Sequence, residues 1–352
     1  MCYHKSFVAG VEELLGHYSA SFESITEEME PIREQFAMLL RKDEGLNLSE
    51  SNEIGERLIA YSQKDALPAT LTKQELSELK WYLKTLTSID EDGVKRYYEN
   101  GFDYLPTPII TAGSPDKFQL FKWGLIPFFM TDKEKAMQFR TQLLNCVSEE
   151  MYNTPSYRDA AKNAQRCLIP VTGFFEWRWL DEAGTVKIPY YVTFRDQKVR
   201  SMAGLYSRWK DKETDQYHYT YTLLTARANT ILEYVHNNKQ RMPVFIDKDN
   251  EKDWLNKDLS KESVMELCQP YQDTAMRAYT VSKLLTTRNI NTNVPQVLNP
   301  MNYEVALQQA NHFLESGEKK KALEAFKAAI SGEKINLANL ESVAGQKILA
   351  EL

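Results

Sequence analysis

The stretch Arg166–Trp177, RCLIPVTGFFEW, decides how the rest of the chain is read. It runs from a continuous apolar segment through Pro170 and Gly173 to one acid set among aromatics, Glu176. Its second half reads as a strand from Phe174 to Trp179. Period 2 then puts Phe175, Trp177 and Trp179 on one face and Phe174, Glu176 and Arg178 on the other. The tryptophan face is expected to be core, and the face carrying Glu176 and Arg178 the open side. Alone, this segment fits an ordinary half-buried strand as well as it fits a site.

Outward from it, short apolar and β-branched runs broken by Pro, Gly and polar turns read as further strands: LPTPIIT (105–111), FQLFKWGLIPFF (118–129), IPYYVTF (188–194), VRSMAGLYSRW (199–209), YHYTYTLLTA (217–226), RMPVFI (241–246) and AYTVSK (278–283). Short helices are expected over 154–165, 229–235 and 252–267. Upstream, residues 8–18 have helical spacing, and 23–100 read as an acidic helical block. Within it PIREQFAMLLRK begins at Pro31, Thr72 and Glu75 form a capping box, and 45–56 is a loop. The fold class is therefore α+β: a mostly antiparallel β core of roughly 200 residues with flanking helices. Residues 1–303 are expected to form one domain, with 20–104 an acidic helical insertion, and 304–352 a helical C-terminal extension.

Composition narrows the function. At 352 residues, 43% hydrophobic and 26% charged, the chain is of soluble globular type. No run approaches the ~18 apolar residues of a membrane span, and the N-terminus lacks a signal-peptide apolar segment, so a cytoplasmic location is expected. Cys2, Cys146, Cys167 and Cys268 are widely spaced, and the five His are scattered, so neither a metal nor a disulfide framework is expected. No P-loop, H-E-x-x-H, G-x-S-x-G or spaced-glycine fingerprint occurs, and no cofactor is expected. Net charge is −6 overall, yet residues 1–105 carry −9 while 106–303 carry +4. The mildly basic middle neither requires nor excludes a polyanionic partner.

Four residues are candidates for chemistry. Removal of Met1 would leave Cys2 with a thiol and an α-amine on adjacent carbons. Such an amine titrates near 7.7–8.0 rather than at the ~10.4 of Lys, so it is nucleophilic near neutrality. It can attack an aldehyde to give an imine, which the thiol closes to a thiazolidine ring. An incidental buried Cys is the plain alternative. His236 ends a helix, whose C-terminus favours the imidazolium form, and could move protons; it could equally be a cap. Asn145 could hold a substrate oxygen or sit in a turn. Glu176 could exchange protons with a sugar hydroxyl, an imine or an amine.

These residues occur in company. RCLIPVTGFFEW with WGLIP (123–127) ahead of it, PYYVTF, AGLYSRW, TLLTARAN, His236, RMPVFI and TVSKLLTTRNINTNVPQVLNP after it resembles the SRAP family of abasic-site processing proteins (YedK/HMCES-like). The resemblance covers residues 2–5 and roughly 105–300. It implies a barrel-like fold and a covalent sensor of abasic sites in single-stranded DNA. The processed Cys2 would form the cross-link, Asn145 position the substrate, Glu176 transfer protons, and His236 serve ring opening or elimination, with lyase and Met1-removing activity. Implied DNA contacts are His4, Lys5, Trp123, Arg178, Arg241, Met242 and Pro243. The family usually opens Cys-Gly-Arg-Tyr and follows its Asn with Ala-Arg. Here the chain reads Cys2-Tyr3-His4-Lys5, with Val147 in place of that Arg, and four residues rather than one precede Arg241. Arg140, Arg158 and Lys239 are further substitutes for the lost phosphate contacts. Competing readings are a Cys hydrolase using Cys2, His236 and Glu176, and a non-catalytic binding protein whose acidic block docks a protein partner. A monomer is expected.

Overall fold

The computed structural model describes residues 2–44, 71–180, 182–184, 187–286 and 292–301. The expected loop over 45–56, the C-terminal extension and Met1 lie outside the described residues. In chain order the strands are β1 (His4–Gly10), β2 (Ile89–Asp90), β3 (Gly93–Asn100), β4 (Pro106–Thr111), β5 (Ser114–Trp123), β6 (Asn145–Val147) and β7 (Arg166–Val171). They continue with β8 (Gly173–Trp179), β9 (Lys187–Phe194), β10 (Arg200–Lys210), β11 (Tyr217–Arg227), β12 (Arg241–Pro243), β13 (Phe245–Ile246) and β14 (Met276–Thr280). The helices are α1 (Val11–His17), α2 (Glu23–Glu44), α3 (Lys73–Leu86), α4 (Lys133–Phe139), α5 (Pro155–Lys162), α6 (Thr230–Val235), α7 (Glu251–Leu255) and α8 (Lys261–Leu267).

Strands β11-β5-β4-β7-β10 form a closed barrel, because β10 pairs back onto β11. Beside it lies an antiparallel sheet in the order β14-β9-β8-β1-β3-β2. Within the barrel only β5 meets β11 in parallel, and short β6 adds to β11 in the same sense. The α+β reading, with a mostly antiparallel β core, is borne out.

The stretch that opens the sequence reading is the crossover between the two sheets. β7 belongs to the barrel and β8 to the open sheet, so the chain changes sheet at Thr172-Gly173. Thr172 pins the crossing: its N–H donates to the Ser6 carbonyl, its Oγ1 accepts from Val8 N–H, and its carbonyl accepts from the Thr193 hydroxyl. Gly173 is required by close approach, since a Cβ there would sit 2.4 Å from the Tyr191 hydroxyl oxygen.

Three expectations need correction. Residues 8–10 are not helical but continue β1, because pairing with β3 takes them; the helix begins at Val11. The acidic block is not helical to its end: among the described residues its last helix, α3, stops at Leu86, 89–90 and 93–100 are strands, and β3 lies directly against β1. Glu91-Asp92 is the two-residue turn between β2 and β3, closed by the Asp90–Gly93 pair with Gly93 at φ +135°. RMPVFI is two short strands, since Val244 separates residues paired to β11 from residues paired to β10. The capping box is present as expected, with Thr72 Oγ1 accepting from Glu75 N–H and the Glu75 carboxylate accepting from Thr72 N–H.

Candidate active site

Cys2 precedes β1, which runs antiparallel to β8 with His4 opposite Phe175. It is 1% exposed and packs in one apolar cluster with Leu144, Phe174, Tyr190 and Val235. The Asn145 amide donates to the Cys2 carbonyl at 2.7 Å. Asn145 is itself fixed from three sides. β6 pairs with β11 at Leu223, the Tyr157 hydroxyl donates to the Asn145 carbonyl at 3.0 Å, and the Trp123 indole donates to the Leu144 carbonyl at 2.7 Å. A chain end is thus held in place by hydrogen bonds to groups 143 residues away.

Glu176 lies on β8, opposite Tyr190 of β9, and is 5% exposed. The Phe174–Glu176–Arg178 face is therefore not an open side: Phe174 is fully buried and faces the same cluster as Cys2. The other face is core in part, with Phe175 fully buried and Trp177 packed half-buried against it in a smaller cluster. Burial pushes the Glu176 carboxyl up to about 8, against the opposing pull of the positive chain terminus and of the Trp177 N–H. At neutral pH it is mostly a protonated acid.

His236 caps the C-terminus of α6, its N–H bonded to the Leu232 carbonyl at 2.7 Å. Its ring Nδ1 lies 2.8 Å from the Arg241 carbonyl, which can only accept, so Nδ1 carries the proton. Nε2 then presents a lone pair toward Glu176 Oε2, 3.8 Å away. The helix terminus does not make this group an imidazolium. Burial, with the positive chain terminus second, pushes it down to about 4, and the ring is neutral at pH 7. A buried neutral acid beside a buried neutral base can pass protons either way with no net charge to desolvate. Glu176 Oε1 and Asn145 Oδ1 are buried and make no hydrogen bond among the described residues.

The thiol of Cys2 is in a different state. Burial first, and the Glu176 carboxylate second, push it well above its ordinary value, and its Sγ–H lies 3.4 Å from the His4 carbonyl. A thiol nucleophile of the hydrolase kind needs the opposite, a depressed pKa and a base at the sulfur.

Cys2, Asn145, Glu176 and His236 therefore converge. The expected DNA contacts do not. Lys5 is fully buried, ion-paired to Glu99 at 2.6 Å, because β3 brings that carboxylate beside β1. Trp123 is fully buried and supports Leu144 as described. His4 points to the outer side of the sheet, between Tyr98 and Trp177, where burial pushes it down to about 4 and leaves it no charge for a phosphate. Met242 and Pro243 are buried in pairing with β11. Arg178 donates to the Tyr234 carbonyl and lies 3.8 Å over the Tyr234 ring, so it braces α6, which carries His236. Arg241 holds Glu149 through two bonds of 2.8 and 2.7 Å, keeping that carboxyl at about 2. Its contribution to the site is its carbonyl, which fixes the His236 tautomer. Arg158 and Lys239 are exposed, while Arg140 is buried.

Two features escaped the sequence reading. Phe128 and Phe129, taken as strand residues, stand 65% and 43% exposed on the loop after β5; the Gly124 and Pro127 flanking them were the available signal. Tyr157 and Tyr190 look like core aromatics in the sequence; only the packing of α5 brings the Tyr157 hydroxyl to the Asn145 carbonyl, and only the β8–β9 register sets Tyr190 opposite Glu176.

The family model "SOS response associated peptidase (SRAP)" matches residues 64–288. The chain is 34% identical over 184 residues to the abasic site processing protein YoqW of Bacillus subtilis, spanning 52% of this chain and 77% of that protein. Against the abasic site processing protein HMCES of Gallus gallus, identity is 27% over 201 residues, spanning 51% and 56%. A crystal structure of a protein from Bacteroides thetaiotaomicron superposes with a TM-score of 0.58 at 28% identity, covering 85% of this chain and 99% of that one. With the family model spanning well over half of the sequence, and the expected barrel and residue constellation both in place, the chain belongs to the SRAP family.

Proposed function

We propose that this protein processes abasic sites in single-stranded DNA by covalent capture, with the α-amine and thiol of Cys2 as the reacting groups once Met1 is removed. The observation that carries the reading is the burial of Cys2 with its carbonyl held by Asn145, together with a buried carboxyl raised to about 8 and an imidazole lowered to about 4 that face each other at 3.8 Å. An abasic deoxyribose opens to an aldehyde. The amine attacks its carbon, and one amine proton passes by way of His236 Nε2 to the new alkoxide, giving a carbinolamine. The protonated Glu176 then gives its proton to the hydroxyl, which leaves as water, and the Glu176 carboxylate takes back the second proton from nitrogen as the imine forms. The thiol then adds to the imine carbon, its proton passing to the imine nitrogen, and a thiazolidine results. Aldehyde and aminothiol together lose one water.

The raised thiol pKa suits this order, since amine attack precedes sulfur addition. It disfavours the Cys-hydrolase reading. Elimination from the imine, giving strand cleavage, would draw on the same His236 and Glu176. Among the described residues no helix is long and apolar enough to cross a membrane.

The test is a single-stranded oligonucleotide with one abasic site, incubated with the protein and run on a denaturing gel. The proposal expects a shifted band that survives denaturation and disappears with Cys2→Ala. A thiol hydrolase would give no such band and would turn over a peptide ester.

A further inference from the structure

Where β5 meets β11 lies a second group of polar side chains, several of whose donor atoms have no acceptor among the described residues. Lys122 of β5 stands in register with Thr220 of β11, so its side chain shares a face with His218, two residues back on that strand. Arg140, just beyond α4, crosses the same region. It is 5% exposed, its Nη2 donates to the Trp123 carbonyl at 2.8 Å, and its guanidinium lies 3.9 Å over the Tyr104 ring. Gly124 leaves room for this packing, since a Cβ there would be 3.2 Å from both Arg140 Nε and the Tyr104 ring. Tyr104 itself is held at φ 51°, costly for an aromatic residue.

The polar atoms here are conspicuous for what they lack. Arg140 Nε, His218 Nε2 and Tyr104 Oη are buried and have no hydrogen-bond partner among the described residues. Lys122 has no carboxylate partner among the described residues. The nearby acids are already engaged: Asp211 holds Lys133 at 2.9 Å, and Asp103 holds Lys84 at 2.8 Å. Burial and the neighbouring Arg140 push Lys122 down to about 8, as expected of cations crowded without a counter-charge. Unpaired buried donors of this kind are costly unless a ligand satisfies them.

We propose that Lys122, Arg140, His218 and Tyr104 form a second, anion-binding site that takes a phosphate group. The donor set contains cations, a hydroxyl and an imidazole, so it calls for a ligand rich in acceptor oxygens. Trp81 of α3 closes the site from the acidic block, its ring 4.8 Å from Lys122 Nζ. That gives the block a share in ligand binding. The phosphate is either a backbone group of a nucleic-acid strand or the free ion, and the two are separable by experiment. The assignment does not depend on the aldehyde chemistry at Cys2, because none of these four residues takes part in it.

The experiment compares the full chain with Lys122→Gln and His218→Gln, each checked for an unchanged far-UV spectrum. Calorimetric titration uses inorganic phosphate and, separately, a 15-nucleotide single strand without a lesion. Phosphate binding that weakens about tenfold in both variants establishes a free-anion site. Strand binding whose log K against log salt becomes shallower by about 0.7 in Lys122→Gln, with no response to inorganic phosphate, establishes a backbone-phosphate site. If neither ligand distinguishes wild type from both variants, the proposal is overturned.

Discussion

Replacing Glu176 by Gln separates proton transfer from packing, because the carboxamide keeps the shape and removes the titration. Burial raises the folded carboxyl to about 8 from the 4.5 of an ordinary Glu side chain. For an acid raised on folding, the unfolded chain gives up its proton first. Wild-type stability is therefore full below about pH 4.5, falls as pH rises, and stops falling above about pH 8. The difference corresponds to at most roughly 5 kcal/mol. Glu176→Gln escapes that loss, so its denaturation midpoint should match wild type near pH 4.5 and exceed it increasingly up to pH 8. Cross-linking should move the other way. Loss of a general acid costs about 10²–10⁴-fold, and single-turnover gel assays should show a drop of at least 10² at pH 7. The wild-type rate should decline above pH 8 as Glu176 ionises, while the residual rate of the variant lacks that limb. A variant that cross-links within about threefold of wild type from pH 5 to 9, or whose stability advantage does not grow with pH, refutes the reasoning.

Other outcomes follow from single contacts. Lys5→Met leaves Glu99 its buried ion pair with Arg96 at 3.1 Å and should destabilise by about 1–3 kcal/mol in urea titrations, whereas Glu99→Gln leaves Lys5 and Arg96 as two buried cations without a counter-charge and should cost about 3–5 kcal/mol. Gly173→Ala places a methyl 2.4 Å from the Tyr191 hydroxyl oxygen and 2.5 Å from its ring carbon Cζ and should cost about 1–3 kcal/mol, and much less in a Tyr191→Ala background where no ring crowds it. Val147→Arg should tighten binding of undamaged single strands and steepen its salt dependence by about 0.7; an unchanged slope would mean that position 147 does not face the DNA path.

The candidate residues were legible because each is polar within apolar text: Glu176 between Phe175 and Trp177, Asn145 after Leu143-Leu144, and Cys2 beside Met1. Their convergence was legible only through family resemblance, since contacts such as Asn145 with Cys2 join residues far apart in the chain. The burial of several expected DNA contacts was not legible for a related reason. Lys5 looks solvent-facing in HKSFVAG, and its partner Glu99 sits in GVKRYYEN, absorbed into a helical block by the acidic text around it. Asp92-Gly93 before alternating residues was a hairpin signal that composition obscured. Trp123 and Met242 carry no mark in the sequence that separates a buried support from a surface contact; only the barrel's closure decides it.

The central claim, that Cys2 reacts through both its amine and its sulfur, is tested most directly by the mass of the cross-linked amino-terminal peptide. After incubation with an abasic oligonucleotide, nuclease digestion and iodoacetamide treatment, the peptide should begin at Cys2. It should carry the sugar less one water, with no alkylation of Cys2. A peptide that retains Met1 and a free, alkylated Cys2, with the adduct on another residue, would contradict the account.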